Sequence, residues 1–197
     1  MEEINGIILA GGESMRMGQN KAFLRWGEGT LIESIINKLE ALFCTVFIVA
    51  KHSRDYSQLG TKILKDSFPG EGALVGIYTA LLHSPGWVFV TGCDTPFLNT
   101  ELIQYMCHSR RGYDAVVPCP GISPPDGWEP LHALYSRRCL KVVEKQLKKR
   151  DFKVMHLFSE IKVRKIGLKE VRRFDPELLS FFNINTPQDW EKAGQLL

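Results

Sequence analysis

The sequence has no long apolar run. Its longest, Val46 to Ala50, is strand-length, far short of the roughly 20 residues a membrane-crossing helix needs. It has no secretory leader pattern either: Met1-Glu2-Glu3-Ile4-Asn5 is acidic where a signal peptide is basic, and the apolar stretch Ile7 to Ala10 is too short for a signal core. No membrane association and a cytoplasmic address are expected. Cysteine is sparse: Cys44, Cys93, Cys107, Cys119 and Cys139 are odd in number, widely spaced and contain no C-x-x-C pair, which excludes a disulfide framework and a zinc knuckle. The charge excess is small. Twenty-five Lys and Arg against 22 Asp and Glu leave +3, too little for a nucleic-acid-binding stripe, so no nucleic-acid partner is expected. His52, His83, His108, His132 and His156 lack H-E-x-x-H or any metal-ligand spacing and read as surface or satisfied core histidines. The G-x-S-x-G elbow of the simplest hydrolases is missing, as are Walker A and G-x-G-x-x-G.

What is present is ample for one compact domain: 197 residues, 44% of them hydrophobic and 24% charged. Gly6 to Ala10 reads as a buried strand running into a glycine-rich segment, Gly11 to Gly18. Thr30-Leu31-Ile32-Glu33 is a capping box, and Leu31, Ile32, Ile35, Ile36, Leu39 and Leu42 recur at helical spacing after it. Strands are expected at Thr45 to Ala50, Ile63-Leu64 and Trp87 to Thr91. Helices are expected from Ala73, with Leu74, Ile77, Tyr78, Leu81 and Leu82 inward, and over Thr100 to His108. Short apolar strands alternating with amphipathic helices predict an α/β fold, a doubly wound, mostly parallel sheet with helices on both faces.

The second half is less regular. Strands are expected at Ala115 to Val117 and Leu131 to Tyr135 around a proline-rich loop, then a helix over Cys139 to Lys148 and an edge strand over Ile161 to Ile166. A last short strand, Phe182-Asn183-Ile184, should precede a helix capped by Thr186 with Pro187 at its first position.

In such a sheet ligands bind beyond the carboxyl ends of the strands, where Gly11, Asp66 and Asp94 all fall. Glycines after the first strand let main-chain amides turn toward a ligand, and Arg16 and Lys21 add positive charge, which together make a phosphate cradle or else a solvated turn. Asp94 follows a very apolar strand and stands at the rim, either as a Mg²⁺ ligand beside phosphate oxygens or as a cap for the helix near Thr95. Asp66 offers two acceptor oxygens to a guanine edge or to ribose hydroxyls, and equally suits a turn or cap. Asn183 and Asn185 flank a helix start, where each could cap or bind.

With these residues in view, the sequence resembles the molybdenum cofactor guanylyltransferases, a branch of the nucleotidyltransferase superfamily with a Rossmann-like fold. The resemblance is carried over nearly the whole chain by L-A-G-G-x-S-x-R-M-G-x-x-K at Leu9 to Lys21 and by Asp66-Ser67 with the loop Pro69 to Gly76. Its other anchors are Cys93-Asp94-Thr95-Pro96, Pro130 to Tyr135, and Asn183-Ile184-Asn185-Thr186-Pro187. It implies a single nucleotidyltransferase domain, 1–197, of the nucleotide-diphospho-sugar-transferase type. The nucleotide half would run to about residue 110 and the acceptor half over about 111–197. It implies GTP and Mo-molybdopterin as substrates, Mg²⁺ as cofactor, and other molybdenum cofactor biosynthesis proteins and molybdoenzyme chaperones as partners.

By the same resemblance Leu9, Ala10, Gly11 and Gly12 meet the nucleotide, Lys21 and Arg16 serve the phosphates, Asp66 binds the nucleoside, Asp94 holds the metal, and Asn183 and Asn185 lie near the acceptor. Two positions depart from the family pattern: Ala73 stands where proline is frequent, and Val49-Ala50-Lys51 stands where an asparagine follows the second strand. Rival expectations are a cytidylyl- or uridylyltransferase, a guanylyltransferase for a corrin precursor, and a non-catalytic nucleotide-binding module.

Overall fold

The computed structural model describes residues 3–10, 20–51, 53–122 and 127–196. Strand β1 (Ile4–Leu9) is followed by a short hairpin, β2 (Arg25–Trp26) and β3 (Gly29–Thr30), and by helix α1 (Leu31–Glu40). Then come β4 (Val46–Ala50), β5 (Lys62–Lys65), α2 (Ala73–Leu82), β6 (Trp87–Gly92) and α3 (Thr100–His108). The second half holds β7 (Ala115–Cys119), β8 (His132–Ser136), α4 (Leu140–Lys148), α5 (Val154–Leu157), β9 (Val163–Gly167), α6 (Leu168–Val171) and α7 (Pro187–Gln195).

Seven strands form one sheet in the order β5-β4-β1-β6-β8-β7-β9. β1, β4, β5 and β6 pair in parallel, β7 pairs in parallel with β9, and β8 runs antiparallel between β6 and β7. The expected doubly wound, mostly parallel architecture is present. Its inner strands are buried because both faces are covered, while the edge strands β5 and β9 carry lysines and an arginine; successive residues point to opposite sides, so Ile8 packs with α1 and α3 while Ile7 packs with α2 and α4.

The expected caps form. Thr30 N donates to Glu33 Oε2 at 2.7 Å and Glu33 N to Thr30 Oγ1 at 3.4 Å, opening α1. Thr186 and Asp189 make the equivalent box at α7, with Pro187 in its first turn. Three expectations are corrected. Phe182-Asn183-Ile184 is not a strand: a 3₁₀ turn over Leu179–Phe181 precedes it, and Ile184 N bonds to the loop carbonyl of Asp94 at 2.9 Å instead of entering the sheet. Leu82, at the end of α2, is exposed: the buried leucines and isoleucine of that helix are Leu74, Ile77 and Leu81, and Leu82 lies off their face. Pro118, expected in the loop, lies within β7 opposite Ile166 of β9, one rung before that pairing ends at Cys119 and Gly167.

Candidate active site

The carboxyl ends of β1, β4, β5 and β6 form one rim of the sheet, stitched by main chain. Ala10 N donates to Val49 O at 2.9 Å and Cys93 N to Leu9 O at 3.2 Å, so the chain leaving β1 is held between its two neighbours. Leu9 also packs closely on α2: a Cβ at Gly76 would lie 2.8 Å from Leu9 Cδ2, which is why glycine stands there. Tyr56 donates its hydroxyl to Ala10 O at 3.1 Å and accepts from Asn20 Nδ2 at 3.1 Å. Asn20 caps the turn over Lys21–Phe23 by accepting from Ala22 N, and so fixes the direction of Lys21. Gly11, Gly12 and Arg16 lie outside the described residues.

Lys21 is 8% exposed, and a buried ammonium needs partners. It finds them 163 and 164 residues away, donating to Ile184 O at 2.9 Å and Asn185 Oδ1 at 3.2 Å. Ile184 in turn donates to Asp94 O at 2.9 Å. Residues 184–185 therefore tie the lysine after β1 to the aspartate after β6.

Asp94 does not cap a helix. That task for α3 falls to Asn99, whose Oδ1 accepts from Leu102 N at 2.9 Å. The Asp94 carboxylate is half-buried in space left by Gly92, where an added Cβ would sit 2.5 Å from Asp94 Oδ1. Burial pushes its pKa up and the Lys21 charge pulls against that rise. The loop behind it is braced by Thr95, whose hydroxyl donates to Gly92 O at 3.2 Å and lies 2.9 Å from the Thr91 hydroxyl.

Asp66 stands on a second part of the rim, one residue beyond β5. It too is half-buried, with its pKa raised by burial and opposed by the Lys51 charge. Lys51, one residue beyond β4, forms a 2.5 Å ion pair with Glu71 in the glycine loop that leads to α2. Asn183 is exposed and bonds locally to Phe181 O, so of the two asparagines Asn185 reaches the Lys21–Asp94 group and Asn183 does not.

Sequence reasoning gave no role to Glu71, Tyr56 or Phe152, and noted Lys51 as a departure alone, although its position directly after a buried strand was the signal available for it. His132 corrects the reading of satisfied core histidines. It is buried between Phe89 and Phe181, with ring centroids 5.2 Å away in each case, and neither ring nitrogen has a partner among the described residues. A groove of about 510 Å³ along α1 carries Glu28, Glu33 and Glu40 and no cation, and so would repel a polyphosphate. All five cysteines are free, and no described helix is long and apolar enough to cross a membrane.

Comparison with known proteins gives this rim a context. The profile of the MobA-like NTP transferase domain matches residues 6–163. The chain is 38% identical to the molybdenum cofactor guanylyltransferase of Desulfosudis oleivorans, over 98% of this chain and 95% of that protein. It is 34% identical to the probable molybdenum cofactor guanylyltransferase of Pelotomaculum thermopropionicum, over 98% and 93%. The crystal structure of molybdopterin-guanine dinucleotide biosynthesis protein A from Archaeoglobus fulgidus superposes with a TM-score of 0.84 at 27% identity, covering 98% of this chain and 97% of that one. The chain therefore belongs to the MobA-like NTP transferase family, alongside the molybdenum cofactor guanylyltransferases, and is a nucleotidyltransferase.

Proposed function

We propose that the chain transfers GMP from GTP to the terminal phosphate of Mo-molybdopterin, yielding the guanine dinucleotide form of the cofactor and pyrophosphate. The observation that carries this reading is the Lys21–Asp94 group, a cation and a carboxylate held together at the ends of β1 and β6 by residues 184–185. It stands in a chain similar over nearly its whole length to guanylyltransferases of that name.

The acceptor phosphate oxygen attacks the α-phosphorus in line; the new O–Pα bond forms as the bond from Pα to the bridging oxygen of pyrophosphate breaks. No covalent intermediate is required. Because both substrates are anionic, the protein's work is positioning and charge neutralisation. Lys21 suits that work: its hydrogen-bond partners are a carbonyl and an amide oxygen, neutral groups that orient the ammonium without cancelling its charge. The main chain of Leu9 and Ala10 lines the nucleotide side, and Gly11, Gly12 and Arg16 are assigned to the phosphates on sequence alone.

Asp94 fits Mg²⁺ by its donor chemistry. It is a single hard carboxylate in room made by Gly92, and no group of three His, Cys, Asp or Glu among the described residues offers a protein-only cage. That suits an ion that keeps its waters and takes few protein ligands beside phosphate. When bound, Mg²⁺ supplies positive charge to the phosphate oxygens.

On this reading the strands up to about residue 110 carry the nucleotide and residues from about 111 the acceptor, with Asn185 at the junction and Asn183 further out. The reaction would draw on cytoplasmic GTP, with other cofactor-biosynthesis proteins or molybdoenzyme chaperones delivering molybdopterin and receiving product. The test is acceptor-dependent pyrophosphate release with Mg²⁺, comparing GTP and CTP. Release with GTP and little with CTP is expected. No release with Mo-molybdopterin, or a preference for CTP, overturns the assignment.

A further inference from the structure

Tyr56, in the 3₁₀ segment Ser53–Leu59 between β4 and β5, is only 3% exposed, and its hydroxyl stands between the end of β1 and the turn that carries Lys21. It donates to Ala10 O and accepts from Asn20 Nδ2, each at 3.1 Å, from partners 46 and 36 residues away. The order of donors is fixed: a carbonyl can only accept, so the single hydroxyl proton goes to Ala10 and a lone pair is left for the Asn20 amide. Asn20 Oδ1 then faces Ala22 N and closes the cap of the Lys21–Phe23 turn. The Tyr56 ring grips the far end of that turn, where Phe23 stacks on it with centroids 5.5 Å apart and planes 27° apart. Ala10 is itself fixed to the sheet, since its N–H bonds to Val49 O at 2.9 Å. One side chain therefore holds the Lys21 turn at both ends and ties it to the strand frame.

We propose that Tyr56 is a positioning residue for nucleotidyl transfer: its hydroxyl sets where the Lys21 ammonium stands relative to the nucleotide main chain at Ala10. This rests on the reading of Lys21 as the phosphate cation above and adds the group that aims it. The other contacts of the ammonium, Ile184 O and Asn185 Oδ1, restrain the tip of the side chain. They do not fix the turn from which it departs, and Tyr56 does. Placement matters here because lysine is a point charge on a flexible stem, and an error of about 1 Å in a reacting geometry can cost on the order of 100-fold in rate. The chain of hydrogen bonds from Ala22 N–H through Asn20 and Tyr56 to Ala10 runs in one direction, so each bond polarises the next. Loss of the hydroxyl would leave a donor on Asn20 and an acceptor on Ala10 unpaired together. Phenylalanine at position 56 keeps the stack on Phe23 and removes this tie alone.

The experiment is a double-mutant cycle on kcat/KM for GTP, with Tyr56→Phe made in wild type and in Lys21→Met and every assay run below the onset of melting of the least stable variant. In the wild-type background Tyr56→Phe should lower kcat/KM about tenfold. In the Lys21→Met background no ammonium is left to aim, and the same change should alter kcat/KM by less than about twofold. Any loss of stability should be equal in the two backgrounds, so it cannot imitate that pattern. Equal losses of kcat/KM in both backgrounds would make Tyr56 a prop for the fold alone and overturn the inference, as would a Tyr56→Phe variant with wild-type kcat/KM. Where turnover by Lys21→Met is too slow to follow, the cycle is read in GTP affinity, with the same expected pattern and the same overturning result. A wild type that turns over CTP and not GTP overturns the guanylyltransferase reading alone, and the cycle run with CTP still decides this inference. A wild type that turns over no nucleoside triphosphate overturns both.

Discussion

At the ends of β1 and β6, Lys21 is buried and its partners lie 163 and 164 residues along the chain; at the ends of β4 and β5, Lys51 and Glu71 are 20 residues apart and face water. The first arrangement exists only when the fold is complete, because it needs the segment before α7 to close over the ends of β1 and β6. The second is assembled from neighbouring strand ends and one loop. The contrast matches the demands on each side. Charges that act on a transferring phosphoryl group gain from a fixed, partly desolvated setting where their fields are weakly screened. An exposed ion pair such as Lys51–Glu71 is screened by water and exchanges partners cheaply.

The largest test of this contrast is Asp94→Asn. Pyrophosphate release should fall about a thousandfold, the scale of losing a preorganised electrostatic group. Its stability should move the other way. Burial raises the Asp94 pKa against the pull of Lys21, so the stability associated with its neutral form is present below the ordinary carboxylate value and lost as pH rises through the raised one. At neutral pH the charged carboxylate is therefore a cost, and thermal melting of Asp94→Asn at pH 7 should occur at or above the wild-type temperature. An inactive variant that melts lower would mean that Asp94 holds the fold and not the reaction.

A smaller effect is expected from Asn185→Ala, which removes one of the two oxygens that orient Lys21. The value of kcat/KM for GTP should fall about tenfold, with melting unchanged. An equal loss of stability would make residues 184–185 a mere clasp.

A third effect is on stability alone and concerns the support behind Lys21 and Asp94. His132 pairs with Thr91 on β6 and packs against Phe181, just ahead of the 183–185 segment. Burial lowers its pKa from 6.5 to about 4, with Asp175 pulling the other way. Stability from the neutral ring is complete above pH 6.5 and lost as pH falls toward 4, about 2 kcal/mol of it between pH 7 and 5. Urea midpoints should show that decline in wild type and a shallower one in His132→Phe.

Local signals in the sequence carried most of the fold. The capping boxes at Thr30 and Thr186, the apolar strands ending at Leu9, Ala50 and Gly92, and the helix over Thr100 to His108 all stand where short-range pattern put them. The two-residue strands of the β2–β3 hairpin are too short to show any period, so nothing marked them. Residues 182–184 alternate like a strand, but a segment's hydrogen-bond partner is a tertiary fact, and here it is the Asp94 carbonyl. Lys21, Asp66, Asp94 and Asn185 were legible as residue types at strand ends and a helix start. The tie from Lys21 through residues 184–185 to Asp94 was not. Nor was the contact of Phe152 with Gly70, which depends on the chain after α4 returning to the rim.

The most direct test of the central claim follows the fate of label. Purified protein is incubated with Mg²⁺, Mo-molybdopterin and GTP labelled either at the α- or at the γ-phosphorus. The α label should appear in the pterin dinucleotide and the γ label in pyrophosphate, in equal amounts. Transfer of the γ label to the acceptor, or an α label that never leaves GTP, would contradict the account.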